Sequence, residues 1–257
     1  PQEQMAQTIE DWKPDVIIIW ADLTRPTLKQ LAGGTIPVFN CFSGGGTDEP
    51  VAKLLTGIFV ESASYLDRFK ARGLNAMVAF GVNDRVFRPI KQPKVWDAVF
   101  PATFADWKRH KLFAESVQNG FCFGYMYDTH EQYCWQYPQE RGIMIAPHLS
   151  SEAVAYVMNA AHSCLITSMA SGGSQRTVLE AMACNIPPIV MTDSDKTREY
   201  VEESGYGIIV EPEVGAIIEA VERVKTIKGD DGRKYIESKW TAFHFKEAIV
   251  NGILKSV

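Results

Sequence analysis

The run Ser171-Gly-Gly-Ser-Gln-Arg-Thr-Val-Leu-Glu180 sets a small, glycine-rich loop against the start of an apolar helix. A helix start leaves backbone N–H groups without intrahelical partners. The helix dipole adds partial positive charge at the same spot. Together they make a seat for a phosphate or diphosphate. Glu180 falls about one and a half turns into that helix at 3.6 residues per turn. A carboxylate there can accept from two hydroxyls, as a ribose diol offers. The plainer reading of the same residues is a loop closed by a serine helix cap.

Elements around the loop must deliver it. Ser163–Thr167 reads as a strand that ends just before the loop, preceded by a helix over Ser150–Ala161 with serine caps and Glu152 in its first turn. Pro188–Met191 reads as the next strand, followed by a helix over Thr197–Ser204 and a strand over Gly207–Val210. Upstream, Trp96–Phe100 is a strand, a helix begins at about Lys108 and runs to Gln118, and Gly142–Ala146 is a strand. The first third alternates in the same way. A helix over Gln2–Trp12 is followed by the β-branched run Asp15–Trp20, a helix over Arg25–Ala32, strands over Thr35–Asn40 and Gly57–Val60, a helix over Ser62–Gly73 and a strand over Ala76–Phe80. Continuous apolar strands alternating with helices predict parallel sheets covered on both faces. The charged, proline-containing stretch Ile90–Lys94 reads as a linker. It divides the chain into a first domain over 1–92 and a second over 93–235, with terminal helices over Val214–Ile227 and Arg233–Lys255. Residues 236–257 are read as a C-terminal helix free to cross back to the first domain.

Bulk properties narrow the function. The chain has 257 residues, 46% of them hydrophobic, enough for two α/β domains with real cores. A net charge of −5 without a long basic run argues against a nucleic-acid partner. No apolar stretch has the length of a membrane span. Cys41, Cys122, Cys134, Cys164 and Cys184 show no CxxC spacing, and the histidines form no ligand pair at helical spacing. These features predict a reduced, cytoplasmic protein with no metal site.

The sequence resembles the retaining glycosyltransferases of family 4, which have the GT-B fold. Pro14-Asp-Val-Ile-Ile resembles a first-domain strand of that family. Phe80-Gly-Val-Asn-Asp-Arg-Val-Phe-Arg-Pro89 resembles its interdomain segment. Leu179-Glu-Ala-Met-Ala-Cys-Asn-Ile-Pro-Pro-Ile-Val190 and Thr197-Arg-Glu-Tyr-Val-Glu-Glu-Ser-Gly-Tyr-Gly-Ile-Ile-Val-Glu-Pro212 resemble its two donor-domain motifs. The resemblance implies two Rossmann-like domains whose parallel sheets face an interdomain cleft. It implies transfer of a hexosyl unit from a nucleoside-diphosphate sugar to an acceptor hydroxyl with retention of configuration, and no cofactor or metal. Lys108 would neutralise the diphosphate, with Arg109 as a second contact. Ser174, Gln175, Arg176, Thr177 and Val178 would line the nucleotide-diphosphate site, the N–H groups of Arg176, Thr177 and Val178 holding the distal phosphate. Glu180 would take the ribose. Gly172 and Gly173 would border the donor sugar, and Glu199 matches the Glu of the following element.

The pattern departs from the family at three points. Gly172 stands where the first Glu of the Glu-seven-Glu motif belongs, Thr103 stands for the Arg expected upstream of Lys108, and Asn40-Cys-Phe-Ser43 holds no counterpart of the family's His. The first domain is also short. These departures keep a second function open: a nucleotide-sugar-binding subunit without turnover. An epimerase acting on a nucleotide sugar is a weaker third. The acceptor, a glycan or glycolipid, is not readable. A homodimer and a peripheral contact at the inner membrane face, through Tyr65, Phe69 and Lys70, stay open beside the simpler reading of Val60, Leu66 and Phe69 as core.

Overall fold

A computed structural model describes residues 2–44, 46–126, 132–169 and 173–257. The chain divides into two compact units, Pro1–Phe80 with Phe243–Val257, and Gly81–Ala242.

In the first unit, β-branched and aromatic residues build four short parallel strands: β1 (Ile17–Ala21), β2 (Val38–Phe42), β3 (Gly57–Val60) and β4 (Ala76–Val78). They pair in sequential order. Three of this unit's helices lie between them: α2 (Pro26–Leu31), α3 (Glu49–Ala52) and α4 (Ala63–Lys70), with α1 (Gln2–Trp12) ahead of the first strand. Proline at the first turn of α2 fits a position whose N–H needs no partner. Asp48 caps α3 and Ser62 caps α4, each accepting from a first-turn N–H. One face of the sheet buries Leu28, Val51, Tyr65 and Phe69. Tyr65 and Phe69 are therefore core residues and not a membrane-facing edge. The other face packs Phe39 and Phe59 against Phe245, Ala248, Ile249 and Ile253 of the C-terminal helix. Gly252 lets that helix approach, since a Cβ there would lie 2.6 Å from Phe59 Cε1.

The second unit holds six parallel strands: β5 (Trp96–Pro101), β6 (Gly120–Phe123), β7 (Met144–Ala146), β8 (Ala161–Ile166), β9 (Pro188–Met191) and β10 (Ile208–Val210). Their spatial order is β10-β9-β8-β5-β6-β7. Helices α5 (His110–Ser116), α6 (Tyr133–Glu140), α7 (Ser151–Asn159), α8 (Gln175–Ala183), α9 (Asp195–Ser204), α10 (Val214–Val224) and α11 (Asp231–Lys239) cover the two faces. β6, α6 and α3 were not foreseen. All five cysteines are buried and free, and among the described residues no helix is long and apolar enough to cross a membrane.

Two expected boundaries differ. The linker expected at Ile90–Lys94 is stitched into the second unit. Ile90 N–H donates to Asn159 Oδ1 at 2.8 Å, and Lys94 Nζ donates to the carbonyls of Asn159 at 3.0 Å and Ala161 at 2.7 Å. The single helix expected over Arg233–Lys255 is two, α11 and α12 (Ala242–Ser256). Between them the backbone turns to a bridge: Val82 N–H donates to the Trp240 carbonyl at 2.8 Å, and Thr241 pairs with Val82. Those bonds replace the ones that would have continued the helix.

Candidate functional site

Numbered from its own first strand, the second sheet has the order 3-2-1-4-5-6. The chain therefore reverses direction across the sheet between β5 and β8, and ligands of open α/β sheets sit at such a switch point, beyond the strands' C-terminal ends. β5 leads into a 3-10 turn, Asp106–Lys108, and β8 leads to the glycine-rich loop and α8. The sequence thus brings Lys108 and the start of α8 to the same crevice from opposite sides.

Lys108 is buried, and its Nζ donates to Ser174 Oγ at 2.7 Å. Ser174 Oγ also lies 2.9 Å from Ser168 Oγ. Gly173 and Ser174 are both left-handed, at φ +66° and +86°. Glycine takes that conformation freely; for the serine it costs about 1–2 kcal/mol, offset by its contacts to Lys108 and Ser168. Ser174 occupies the N-cap position of α8, yet its hydroxyl makes no cap bond to the helix. The serine-cap reading is thereby replaced: the hydroxyl holds Lys108. The Val178 N–H donates to the Ser174 carbonyl at 3.2 Å, the first bond of the helix ladder. The phosphate contact expected of the Val178 N–H is therefore spent inside the helix. The N–H groups of Gln175, Arg176 and Thr177 come ahead of that ladder. Thr177 Oγ1 donates to the Pro101 carbonyl at 3.2 Å and ties α8 to the end of β5.

A cavity of about 360 Å³ opens at this point, within the range of small-molecule sites. Lys108, Ser174, Arg176, Thr177 and Glu180 line it, with Thr103 where an arginine was expected. Phe123, Gly124, Tyr125, His148 and Leu149 line it as well. The rings of Tyr125 and His148 stack in parallel with centroids 4.1 Å apart. Burial pushes the Glu180 carboxyl up to about 7, and the charge of Arg176 pulls it partly back. Near neutral pH this group is poised between its acid and its carboxylate.

Other expected residues lie elsewhere. Val178 and Gln175 are buried, and among the described residues Gln175 Nε2 has no hydrogen-bond partner. Arg109 does not line the cavity. Its Nε donates to the Thr167 carbonyl at 2.7 Å, and its two terminal nitrogens donate to the two oxygens of Asp193 at 2.9 and 2.8 Å. The second diphosphate contact expected of Arg109 is therefore committed to another partner. Gly172 lies outside the described residues. Glu199 sits within α9, beyond its first turn. Among the described residues, no three His, Cys, Asp or Glu side chains come together as a metal-holding group. Sequence reasoning missed Tyr125 and His148. Their signal was positional: each follows a parallel strand, but β6 had not been recognised.

Comparison with known structures agrees with this topology. A sucrose-phosphate synthase from Thermosynechococcus elongatus superposes with a TM-score of 0.76 at 16% identity, over 98% of this chain and 76% of that one. HepE from Anabaena, in complex with UDP, gives 0.75 at 13% identity, over 99% and 82%. The fold is GT-B. Its two Rossmann-like units follow each other along the chain, and the terminal segment Phe243–Val257 belongs to the first. A family model for glycosyl transferases group 1 matches residues 126–226, a segment of the second unit that includes the loop and α8. Over that segment, and in its fold, the chain is similar to GT-B glycosyltransferases of group 1. No curated protein matches the chain by sequence.

Proposed function

We propose that this protein is a glycosyltransferase that moves a hexosyl unit from a nucleoside-diphosphate sugar to an acceptor hydroxyl with retention. The observation that carries this reading is the convergence at the switch point. Lys108 and the start of α8 meet 2.7 Å apart, and Glu180 lines the same cavity. In this reading Glu180 accepts from the ribose hydroxyls. The Arg176 and Thr177 N–H groups, with the side chains of Lys108, Ser174 and Arg176, take the diphosphate. Tyr125 and His148 offer an aromatic wall on the same cavity. A further HepE structure, at 15% identity, is in complex with UDP-glucose, which makes uridine the base to test first.

The chemistry follows from charge. The bond from the anomeric carbon to the distal phosphate oxygen breaks, and its electron pair leaves with the diphosphate. The acceptor oxygen forms its bond on the same face, and its proton passes to the departing phosphate oxygen. Positive groups fixed where that negative charge develops lower the barrier without reorganising. Lys108, held by Ser174, is such a group, and the reading needs no metal ion.

Thr103, in place of an arginine, favours a second reading: a module that binds the nucleotide sugar without turnover. Incubation with UDP-glucose and a panel of sugar acceptors, followed by NMR, separates the two. UDP release with an acceptor-linked sugar of unchanged anomeric configuration supports the transferase. Binding with neither hydrolysis nor transfer, across UDP-, GDP- and ADP-sugars, supports the second reading.

A further inference from the structure

Arg109 ends the 3-10 turn that carries Lys108 and begins α5, with φ +54° and ψ +46°. Residues other than glycine seldom adopt that conformation, so something must hold it. Two elements do. The guanidinium lays its fork on both oxygens of Asp193, which follows β9, and its Nε reaches the Thr167 carbonyl, which follows β8. Thr167 answers in the other direction. It is fully buried, and its Oγ1 donates to the Lys108 carbonyl at 2.7 Å, with the Arg109 carbonyl at 3.2 Å. The Met169 N–H donates to the Trp107 carbonyl at 2.9 Å and closes the same seam. The turn after β5 is thus bound to the ends of two further strands. What it presents is the Lys108 ammonium, against Ser174.

We infer that Asp193 and Thr167 are positioning residues: through Arg109 and the backbone of Lys108 they fix the Lys108 ammonium at the start of α8. The inference rests on the reading of Lys108 as the cation that meets the diphosphate. It gives Arg109 a different part from the one its sequence position implied. A planar fork that spends its donors on one carboxylate and one carbonyl is a specific geometric clamp, and it leaves the phosphates to Lys108, Arg176 and the helix start. Neither Asp193 nor Thr167 lines the cavity, so each acts only through what it holds.

The test compares Asp193→Asn and Thr167→Val, each alone and combined with Lys108→Ala. Affinities for UDP and for uridine are measured by calorimetry, and the Asp193→Asn protein is crystallised. Asp193→Asn keeps the size of the side chain but removes its charge and one of the two acceptors. The expected result is a loss of UDP affinity on the order of tenfold, because an ammonium displaced from the diphosphate forfeits a charge-assisted hydrogen bond, with uridine affinity unchanged. In the Lys108→Ala background neither substitution weakens UDP further, since residues that act through one another are not additive. Arg109→Lys behaves like Asp193→Asn, because an ammonium cannot make the fork. In the crystal, Lys108 Nζ has moved out of hydrogen-bonding reach of Ser174. The inference is overturned if UDP and uridine weaken together, if the loss persists in full without Lys108, or if Nζ stays on Ser174 in the variant. If Lys108→Ala alone leaves UDP affinity unchanged, the reading of the site fails; the position of Nζ in the Asp193→Asn crystal then decides the positioning role by itself.

Discussion

Glu180 makes the proposed nucleotide site sensitive to pH in a calculable way. Its carboxyl is held up to about 7 by burial, so in the free protein about a tenth is ionised at pH 6 and about nine tenths at pH 8. Ribose hydroxyls donate hydrogen bonds, and only the carboxylate offers acceptors on both oxygens. Binding through Glu180 therefore draws on the ionised fraction and holds the bound group well below its free value. Affinity should rise about tenfold from pH 6 to pH 8, equivalent to about 1.4 kcal/mol. The ligand for this assay is UDP-glucose, because its diphosphate has no proton to titrate in that window. Calorimetry in buffers of different ionisation enthalpy should register release of close to one proton per ligand at pH 6. Glu180→Gln should bind more weakly at pH 8 and lose the pH dependence. A flat wild-type profile, or a Glu180→Gln profile that keeps the slope, would refute the assignment of Glu180 to the ribose.

Further outcomes follow from the same geometry. The raised Glu180 value in the folded state also bears on stability. The folded chain binds the extra proton between about 4.5 and about 7, so stability is fully present below that window and falls by about 3 kcal/mol as pH rises through it; Glu180→Gln should raise Tm at pH 8 by several degrees and change it little at pH 4. Lys108→Ala should weaken UDP about tenfold to a hundredfold, the range of a charge-assisted hydrogen bond, leave uridine unaffected, and lose part of its effect at high salt. Gly173→Ala forces a Cβ onto a residue at φ +66° and sets it 3.3 Å from Gln175 Oε1; it should cost about 1–2 kcal/mol in chemical denaturation and reduce donor turnover. Gly124→Ala would drive a Cβ into the Ala102 carbonyl at the cavity wall, and soluble expression should drop sharply.

The fold was legible in the sequence where a single local signal sufficed. β3 and β9 fall on short apolar runs that begin at Gly57 and Pro188, and α1 matches its expected span. α8 was legible because glycine, polar residues and an apolar helical run follow one another in order. β6 was not, because Gly120–Phe123 is short and sits beside a stretch without clear periodicity. The break between α11 and α12 depends on a bridge to Val82, a partner far away in sequence that no local pattern announces. In the site, the family resemblance pointed to Lys108 and the loop-to-helix pattern to Glu180, but neither said what their neighbours do. Arg109 had the right charge beside the right lysine, yet its direction is set by a left-handed backbone and by Asp193. Ser174 looked like a helix cap and holds the lysine instead. Tyr125 and His148 meet only after two strands have been brought side by side.

The central claim is that the crevice between β5 and β8 holds a nucleoside diphosphate. Calorimetric titration of the wild-type protein and of Lys108→Ala with UDP, GDP and ADP tests it most directly. The account predicts saturable binding of one nucleotide per chain, weakened at least about tenfold by the substitution. Absence of binding by all three nucleotides, or equal affinity with and without the Lys108 ammonium, would contradict it.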